Sequence, residues 1–399
     1  MKITYETHYK SQRADGRHTA TMAAFMERLR HLTPTLAMPD NMSREDFDVW
    51  RLALRAKVRE LLRIDLFEKE AEGQPSPIML SSVQRDGYRV ERWEFYPDDY
   101  SAVPFLALIP DGADAEHPVP AVMCFPGSTF SKELLAGEPL LDRPACGMNK
   151  YPDRNRMAWH IVKSGMAAFA FDNPATAECA LDIDALSDFG GRARAQMCHG
   201  LTQAGLSYFG LSTSQKLCAL DFIKTLPYVD IDRLGVSAHS LGCDDAMYVS
   251  LLRDEIRAVV FNDFVCDERH RYFSTTEYDE TQMCNNVGNW HEVPGCYAHY
   301  SRADVLASLA PRYLALNEGG ADFFLDKVRR AYEIFDSSDS LQISHYPKYA
   351  DASARSTQYE PPMYGLSDTT YFEYTNTNAP DHSYRAEPSI ELLKKAFCK

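Results

Sequence analysis

Six short apolar runs recur between residues 120 and 347: "PAVMCFPG" (120–127), "GMAAFAFDNP" (165–174), "DRLGVSAHS" (232–240), "IRAVVFND" (256–263), "PRYLALNEGG" (311–320) and "LQISHYP" (341–347). They are continuously apolar rather than strictly alternating, and stretches with helical patterning separate them. Short strands buried on both faces, joined by crossovers long enough for a helix, imply a mostly parallel sheet covered on each side. The fold class is therefore α/β, a mostly parallel central sheet flanked by helices. Upstream, "YRVERWEFYP" from residue 88 and "VPFLALIP" alternate or run apolar, with Pro and Asp between them, and predict a β-hairpin leading into that sheet. The first eighty or so residues differ in character. In "NMSREDFDVWRLALRAKVRELLRIDLF", Ser43 stands three residues before Asp46 in a capping-box-like start, and Phe47, Trp50, Leu54, Val58, Leu61 and Leu62 recur at helical spacing. This predicts a helical N-terminal extension over 1–84 ahead of the α/β domain over 85–399. The tyrosine-rich stretch 346–381 reads as a long ordered loop inserted in that domain.

Composition removes several classes of function. A formal net charge of -15, from 57 acidic against 42 basic residues, disfavours polyanionic partners, so neither nucleic acid nor an anionic membrane is expected. No apolar run of secretory or membrane-spanning length occurs, which gives a cytoplasmic expectation for the sequence as it stands. The ten cysteines are scattered without a CxxC pair and are expected to be reduced, partly buried small hydrophobes. Cys284, His291, Cys296 and His299 fall close together, but their spacing matches no usual zinc pattern, and neither a metal nor a cofactor is expected.

In a parallel sheet the working groups stand at the carboxyl ends of strands. The run ending at 240 delivers Ala238-His239-Ser240-Leu241-Gly242, a small-x-Ser-x-Gly turn into a helix-compatible segment. Such a turn lifts the serine Oγ above the sheet and requires small residues two before and two after it. A serine nucleophile needs a base, and the base needs a carboxylate to fix its tautomer. The chain supplies Asp322, just after the run 311–317, and His382, just before a final amphipathic segment, in the order Ser, acid, His. Glu318, Asp326 and Asp263 are competing acids. His239 is too near Ser240 in sequence to serve as its base and is expected to be structural. The oxyanion donors expected are the N–H of Leu241 and, from the sharp turn Pro126-Gly127-Ser128-Thr129, the N–H of Ser128.

At these residues the chain resembles the α/β-hydrolase superfamily, in its acetyl-xylan-esterase-like and dienelactone-hydrolase-like branch. The resemblance rests on "FPGSTFSKELLAGEP", "SGMAAFAFDNPATAE", "AHSLGCDDAM", "APRYLALNEGGADFFLDKVRRAYEIF" and "HYPKYAD…DHSYR", and spans about 85–399. "FPGS" departs from the usual His-Gly opening of the oxyanion loop. The resemblance implies an α/β-hydrolase catalytic domain with Ser240, Asp322 and His382 as triad. It also implies a serine carboxylesterase that removes acetyl or similar short acyl groups from carbohydrates or small esters through an acyl-enzyme. The partner is then a small-molecule or oligosaccharide ester, with Tyr371 and Tyr374 of the aromatic loop as expected sugar-stacking faces, alongside Tyr346, Tyr349, Tyr359, Tyr364 and Phe372. A uronic-acid methyl esterase, a dienelactone-type hydrolase, or an amidase or peptidase would use the same triad, with Arg143, Arg154, Arg156, Arg192 or Arg194 available to hold a carboxylate. A non-catalytic binding protein retaining the fold is the remaining alternative.

Overall fold

Alternation along the central strands decides the layering. The computed structural model describes residues 11, 13–128, 130–142, 152–181, 191–266, 269, 288–356 and 368–398. The strands are β1 (Ile78–Arg85), β2 (Tyr88–Phe95), β3 (Val103–Pro110), β4 (Val119–Phe125), β5 (Ala167–Phe171), β6 (Val229–His239), β7 (Ile256–Asn262), β8 (Tyr313–Leu316) and β9 (Leu341–Ile343). In β4, Ala121, Met123 and Phe125 join one hydrophobic layer, while Val122 and Cys124 join the other. Phe169 and Phe171 of β5 and Val259 and Phe261 of β7 follow the first set, and Ala168, Ala170, Ala258 and Val260 the second. Successive side chains of a strand point to opposite faces, so two apolar faces demand two covering layers.

The helices supply those layers. They are α1 (Thr21–Arg30), α2 (Arg44–Leu61), α3 (Ile64–Ala71), α4 (Lys132–Ala136), α5 (Met157–Lys163), α6 (Gly191–Gln203), α7 (Tyr208–Ile223), α8 (Gly242–Leu252), α9 (Arg302–Ala307), α10 (Asp322–Ile334), α11 (Asp368–Tyr374) and α12 (Ala386–Phe397). Residues of α2, α7, α8, α9 and α10 fill the first layer, and residues of α4, α5 and α12 the second. Helix α2 begins as its sequence predicts: the Ser43 side chain accepts from the Asp46 N–H, and Phe47, Trp50, Leu54 and Val58 are its buried residues. These four pack into the same cluster as Phe105 and Val236 of the sheet.

The sheet runs in the order β1-β2-β3-β5-β4-β6-β7-β8-β9. β1, β2, β3 and β5 pair antiparallel in turn, and every pairing from β5–β4 to β8–β9 is parallel. Each of the six apolar runs contains one strand of the parallel part, and the expected hairpin is β2–β3. The sheet starts at Ile78, ahead of the hairpin expected from residue 88: β1 precedes β2 and joins it through a two-residue turn in which Gly87 takes φ 80°. The expected loop 346–381 also contains helix α11.

Topology locates the site. The chain leaves β4 to one side for β5 and returns to its other side for β6, so the order reverses at β4. A crevice opens at the carboxyl ends of strands at such a switch point. Ser128 follows β4, and Ser240 follows β6.

Candidate active site

Ser240 is the first residue after β6 and adopts φ 52°. A side-chain-bearing residue held in the left-handed region costs on the order of 1–3 kcal/mol and persists only where its surroundings fix it. Here the Ser240 N–H donates to the Asn262 carbonyl at 3.1 Å, and the Cys243 N–H donates back to the Ser240 carbonyl at 2.9 Å. Helix α8 starts at once, pressed against the end of β4. A Cβ on Gly242 would lie 2.5 Å from the Phe125 carbonyl oxygen and 2.8 Å from that of Pro126. Backbone oxygens cannot swing aside as side chains do, so the glycine is a steric requirement. Ala238 is fully buried and occupies the other small position of the turn.

His382 follows the short turn Ala379–Asp381, ahead of α12. Its Nδ1 lies 2.6 Å from Oε2 of Glu318. Glu318 is fully buried, and its two oxygens take four donors. Oε2 also accepts from the Tyr346 hydroxyl at 2.7 Å, while Oε1 accepts from Asn262 Nδ2 and from the Ser383 N–H, both at 3.2 Å. Burial, then the Glu318 charge, push the Tyr346 phenol well above its usual range, so it remains a donor. The segment after His382 is held from behind: Asn262 Nδ2 also donates to the Ser383 carbonyl at 3.0 Å, its Oδ1 accepts from the Arg385 N–H at 2.7 Å, and Asn155 Oδ1 accepts from the Tyr384 N–H at 2.8 Å.

Asp322, the acid expected from the sequence, does not meet His382. It is the first residue of α10, and its carboxylate accepts from Arg355 at 3.0 Å. The reason is the glycine pair between the strand end and the helix. Gly319 and Gly320 take φ 63° and 138°, and the chain there pairs with Val265: its N–H donates to the Gly319 carbonyl at 2.9 Å, and its carbonyl accepts from the Ala321 N–H at 3.1 Å. A Cβ on Gly320 would lie 2.3 Å from the Val265 oxygen. The turn therefore falls before Asp322 and carries it off, leaving Glu318 at the strand end. The other two competing acids are elsewhere engaged: Asp326 pairs with Arg329 at 2.5 Å, and Asp263 faces Arg302 at 3.4 Å while accepting from the Phe264 N–H at 2.9 Å. Arg302 also holds Asp244 at 2.8 Å, and Asp244 bonds His291 Nδ1 at 3.1 Å.

Ser240 and His382 open on one cleft of about 260 Å³, lined by Ser128, Leu241, Asp263, Phe264, Trp290, His291, Phe372, Thr377 and Ala379. The structure thus brings together Ser240, His382 and both expected oxyanion residues. Of the aromatic loop, it is Phe372 that forms the wall. Tyr371 is fully buried against Phe264 and Cys266, with Phe372 packed on that cluster, and Tyr374 does not line the cleft. Helical spacing explains this, since neighbours on α11 point in different directions and only one faces the opening. Tyr359, Tyr364, Arg143 and the side chain of Arg192 lie outside the described residues, as does Cys284. Arg154 pairs with Asp381 and Arg156 with Asp153, each at 2.9 Å. Arg194 is buried, donates to the Ser128 carbonyl at 2.9 Å and lies 3.9 Å from the centre of the Trp290 ring. Trp290 and His291, at the short turn Asn289–His291, were not singled out in the sequence as walls of the site; "NWH" carries no periodic signal.

His239 is sandwiched between Phe130, with ring centres 5.3 Å apart and planes at 4°, and His382, at 4.5 Å and 29°. Burial, then the nearby His382 and Arg385, lower its pKa well below the usual histidine value, so it is a neutral spacer. Among the described residues, one group could gather three donor atoms around an ion: His239, Glu318 and His382, within 4.8 Å of one another. These rings are stacked nearly face to face, a poor arrangement for two imidazoles that must each hold an ion in the ring plane, and Glu318 already accepts from His382. His291 and His299, from the cysteine–histidine stretch, bond Asp244 and Thr35 instead.

A strained serine elbow on a parallel sheet, with a buried carboxylate and a histidine delivered by later loops, defines the α/β-hydrolase class. The chain belongs to the Abhydrolase family, whose family model matches residues 3–395. It is similar to a provisionally assigned acetyl xylan esterase from Bacteroides fragilis NCTC 9343, with 33% identity, 97% of each chain covered and a TM-score of 0.88. Methylesterase BT1017 shares the fold, with 16% identity, a TM-score of 0.55 and coverage of 98% of this chain and 80% of that one. Among curated sequences, the provisionally assigned hydrolase YtaP of Bacillus subtilis (strain 168) is 26% identical over 133 residues, which is 33% of this chain and 42% of that protein. This chain thus spans less than half the length of that relative.

Proposed function

We propose that this protein is a serine carboxylic ester hydrolase that removes acetyl or similar short acyl groups from carbohydrates, with Ser240 as nucleophile, His382 as base and Glu318 as the acid. The observation that carries the reading is the His382 Nδ1–Glu318 bond of 2.6 Å in the cleft that also holds Ser240 on its left-handed turn. The bond to Glu318 occupies Nδ1 as a donor, so Nε2 is the atom that can take a proton. Ser240 Oγ attacks the ester carbonyl carbon and its proton passes to His382 Nε2. The oxyanion is held by the N–H groups of Leu241 and Ser128, and the intermediate collapses as the alcohol departs with the proton from His382. Water then attacks the acyl-enzyme by the same route, releasing the carboxylic acid and restoring Ser240. The substrate class follows the Bacteroides fragilis relative, and aromatic walls at Phe264, Trp290 and Phe372 suit the apolar faces of sugar rings.

The test is a panel of acetylated oligosaccharides, methyl uronates and p-nitrophenyl esters, run with a fluorophosphonate label. Acetylated sugars and aryl acetates should be turned over, and the label should sit on Ser240. Undiminished labelling of Ser240→Ala overturns the mechanism, and a preference for methyl uronates overturns the acyl-group assignment.

A further inference from the structure

We infer that Asn173 is a positioning residue that sets the oxyanion hole, an inference that rests on the serine-hydrolase reading above. Asn173 is fully buried, two residues beyond β5, and its side-chain hydrogen bonds go to neither Ser240 nor His382. Its side-chain Nδ2 donates to two consecutive carbonyls of the loop after β4, Pro126 at 3.0 Å and Gly127 at 3.1 Å. A trans peptide is planar, and its N–H points opposite to its C=O. Drawing the Gly127 carbonyl toward Asn173 therefore turns the Ser128 N–H the other way. Ser128 lines the cleft beside Ser240 and Leu241.

Three further observations separate this from ordinary packing. Asn173 Oδ1 is buried with no hydrogen-bond partner among the described residues. Toward the loop the side chain therefore acts as a donor alone, aimed at two adjacent carbonyls. Next, the turn that carries Asn173 is itself strained. Ala175 and Ala177 take φ 55° and 47°, and the turn is pinned by Thr176, whose N–H and hydroxyl donate to the Asn173 carbonyl at 3.2 and 2.8 Å, and by the Tyr208 hydroxyl donating to the Pro174 carbonyl at 2.9 Å. Finally, the preceding residue holds the far end of the same loop. Asp172, also buried, accepts from the Lys132 N–H at 2.7 Å and from its ammonium at 2.8 Å. Two consecutive residues after β5 thus grip the β4 loop at both ends, while Arg194 holds the Ser128 carbonyl between them at 2.9 Å. A loop without the usual His-Gly opening is aimed by its neighbour instead.

The experiment compares Asn173→Asp, close to isosteric but presenting an acceptor to both carbonyls, and Asn173→Ala with the wild type and Ser240→Ala on p-nitrophenyl acetate. Both Asn173 variants should lose roughly 10²–10³-fold in kcat, the scale of one lost oxyanion donor, with KM within about threefold. Loss of thermal stability alone, with kcat retained in the folded fraction, overturns the proposal. So does wild-type kcat in either variant while Ser240→Ala is inactive, an outcome that leaves the hydrolase reading standing. Retained turnover in Ser240→Ala overturns both together. A second measurement does not depend on the variants folding: in ¹⁵N-serine-labelled wild type, a boronic acid adduct on Ser240 should move the Ser128 amide proton downfield, with Ser128→Ala assigning the peak. An unmoved Ser128 amide overturns the assignment.

Discussion

At the scale of single residues, the site turns on which carboxylate meets His382. Glu318→Gln keeps the size of the side chain but leaves one acceptor oxygen in place of two, so its NH2 must face either the His382 and Tyr346 donors or the Asn262 and Ser383 donors. We expect kcat to fall by roughly 10³–10⁴-fold with the fold intact, as when a triad acid loses its charge. Asp322→Asn, which disturbs the pairings with Arg355 at 3.0 Å and Arg329 at 4.0 Å, should keep kcat within a few-fold of wild type. Steady-state kinetics on one aryl ester decides it, and the opposite ranking would return the acid to Asp322. The residues proposed as nucleophile and base were legible as candidates in the sequence because each carries a local signature, small residues around Ser240 and a loop before the last helix at His382. The acid carries none. Both Glu318 and Asp322 follow the same strand, and the choice depends on where Gly319 and Gly320 bend the chain, which the long-range bridge to Val265 decides. A glycine pair directly after a strand was the available clue, since it puts the turn there and leaves the residue before it on the strand.

At the scale of elements, two predictions test how the sheet is covered and how the elbow is seated. Leu54 is fully buried on α2 and lies in the cluster shared with β3 and β6. Leu54→Ala should cost about 2–5 kcal/mol, read as a lowered urea midpoint with kcat on small esters little changed in the folded protein. A cost near zero would mean that α2 merely rests on the surface. At the elbow, Ala238→Gly should be active, since the turn asks only for a small residue there. Gly242→Ala should lose most activity, because the new Cβ meets the Phe125 and Pro126 oxygens at 2.5 and 2.8 Å and forces apart the two segments that carry the Leu241 and Ser128 N–H groups. Equal activity in the two variants would dismiss the close approach as a constraint. Central strands were legible because burial on both faces leaves a continuous apolar run, and α2 because its stripe and cap agree. β1 was not, since all but its last residue are exposed and "IMLSSVQR" lacks the pattern that burial imposes. Helix α11 hid for a different reason: a short Tyr- and Thr-rich segment has weak helix propensity, and its place is set by burying Tyr371 against Phe264 and Cys266.

At the scale of the whole molecule, buried histidines should make acid weaken the fold. His239 is buried between Phe130 and His382, and burial holds its pKa well below 6.5; burial also lowers those of the half-buried His160 and His345. In the unfolded chain each returns to about 6.5, so below that pH the unfolded state binds more protons than the folded one. Stability from these groups is therefore complete above about pH 6.5 and is lost as pH falls toward their depressed folded values. For the fully buried His239 the slope approaches roughly 1.4 kcal/mol per pH unit, and it is shallower for the two that water partly reaches. Asp244 acts later. Burial pushes its pKa up, but Arg302 and His291 outweigh that and hold it below 3.8, so its contribution is lost only as pH falls below that value. Urea midpoints at pH 7, 6 and 5 should thus decline steadily for the wild type. His239→Gln, which has no proton to take up, should show a flatter decline over the same range whatever its midpoint at pH 7. Parallel profiles for the two proteins would show that His239 does not stay neutral inside the folded molecule, and would remove the spacer role assigned to it behind His382.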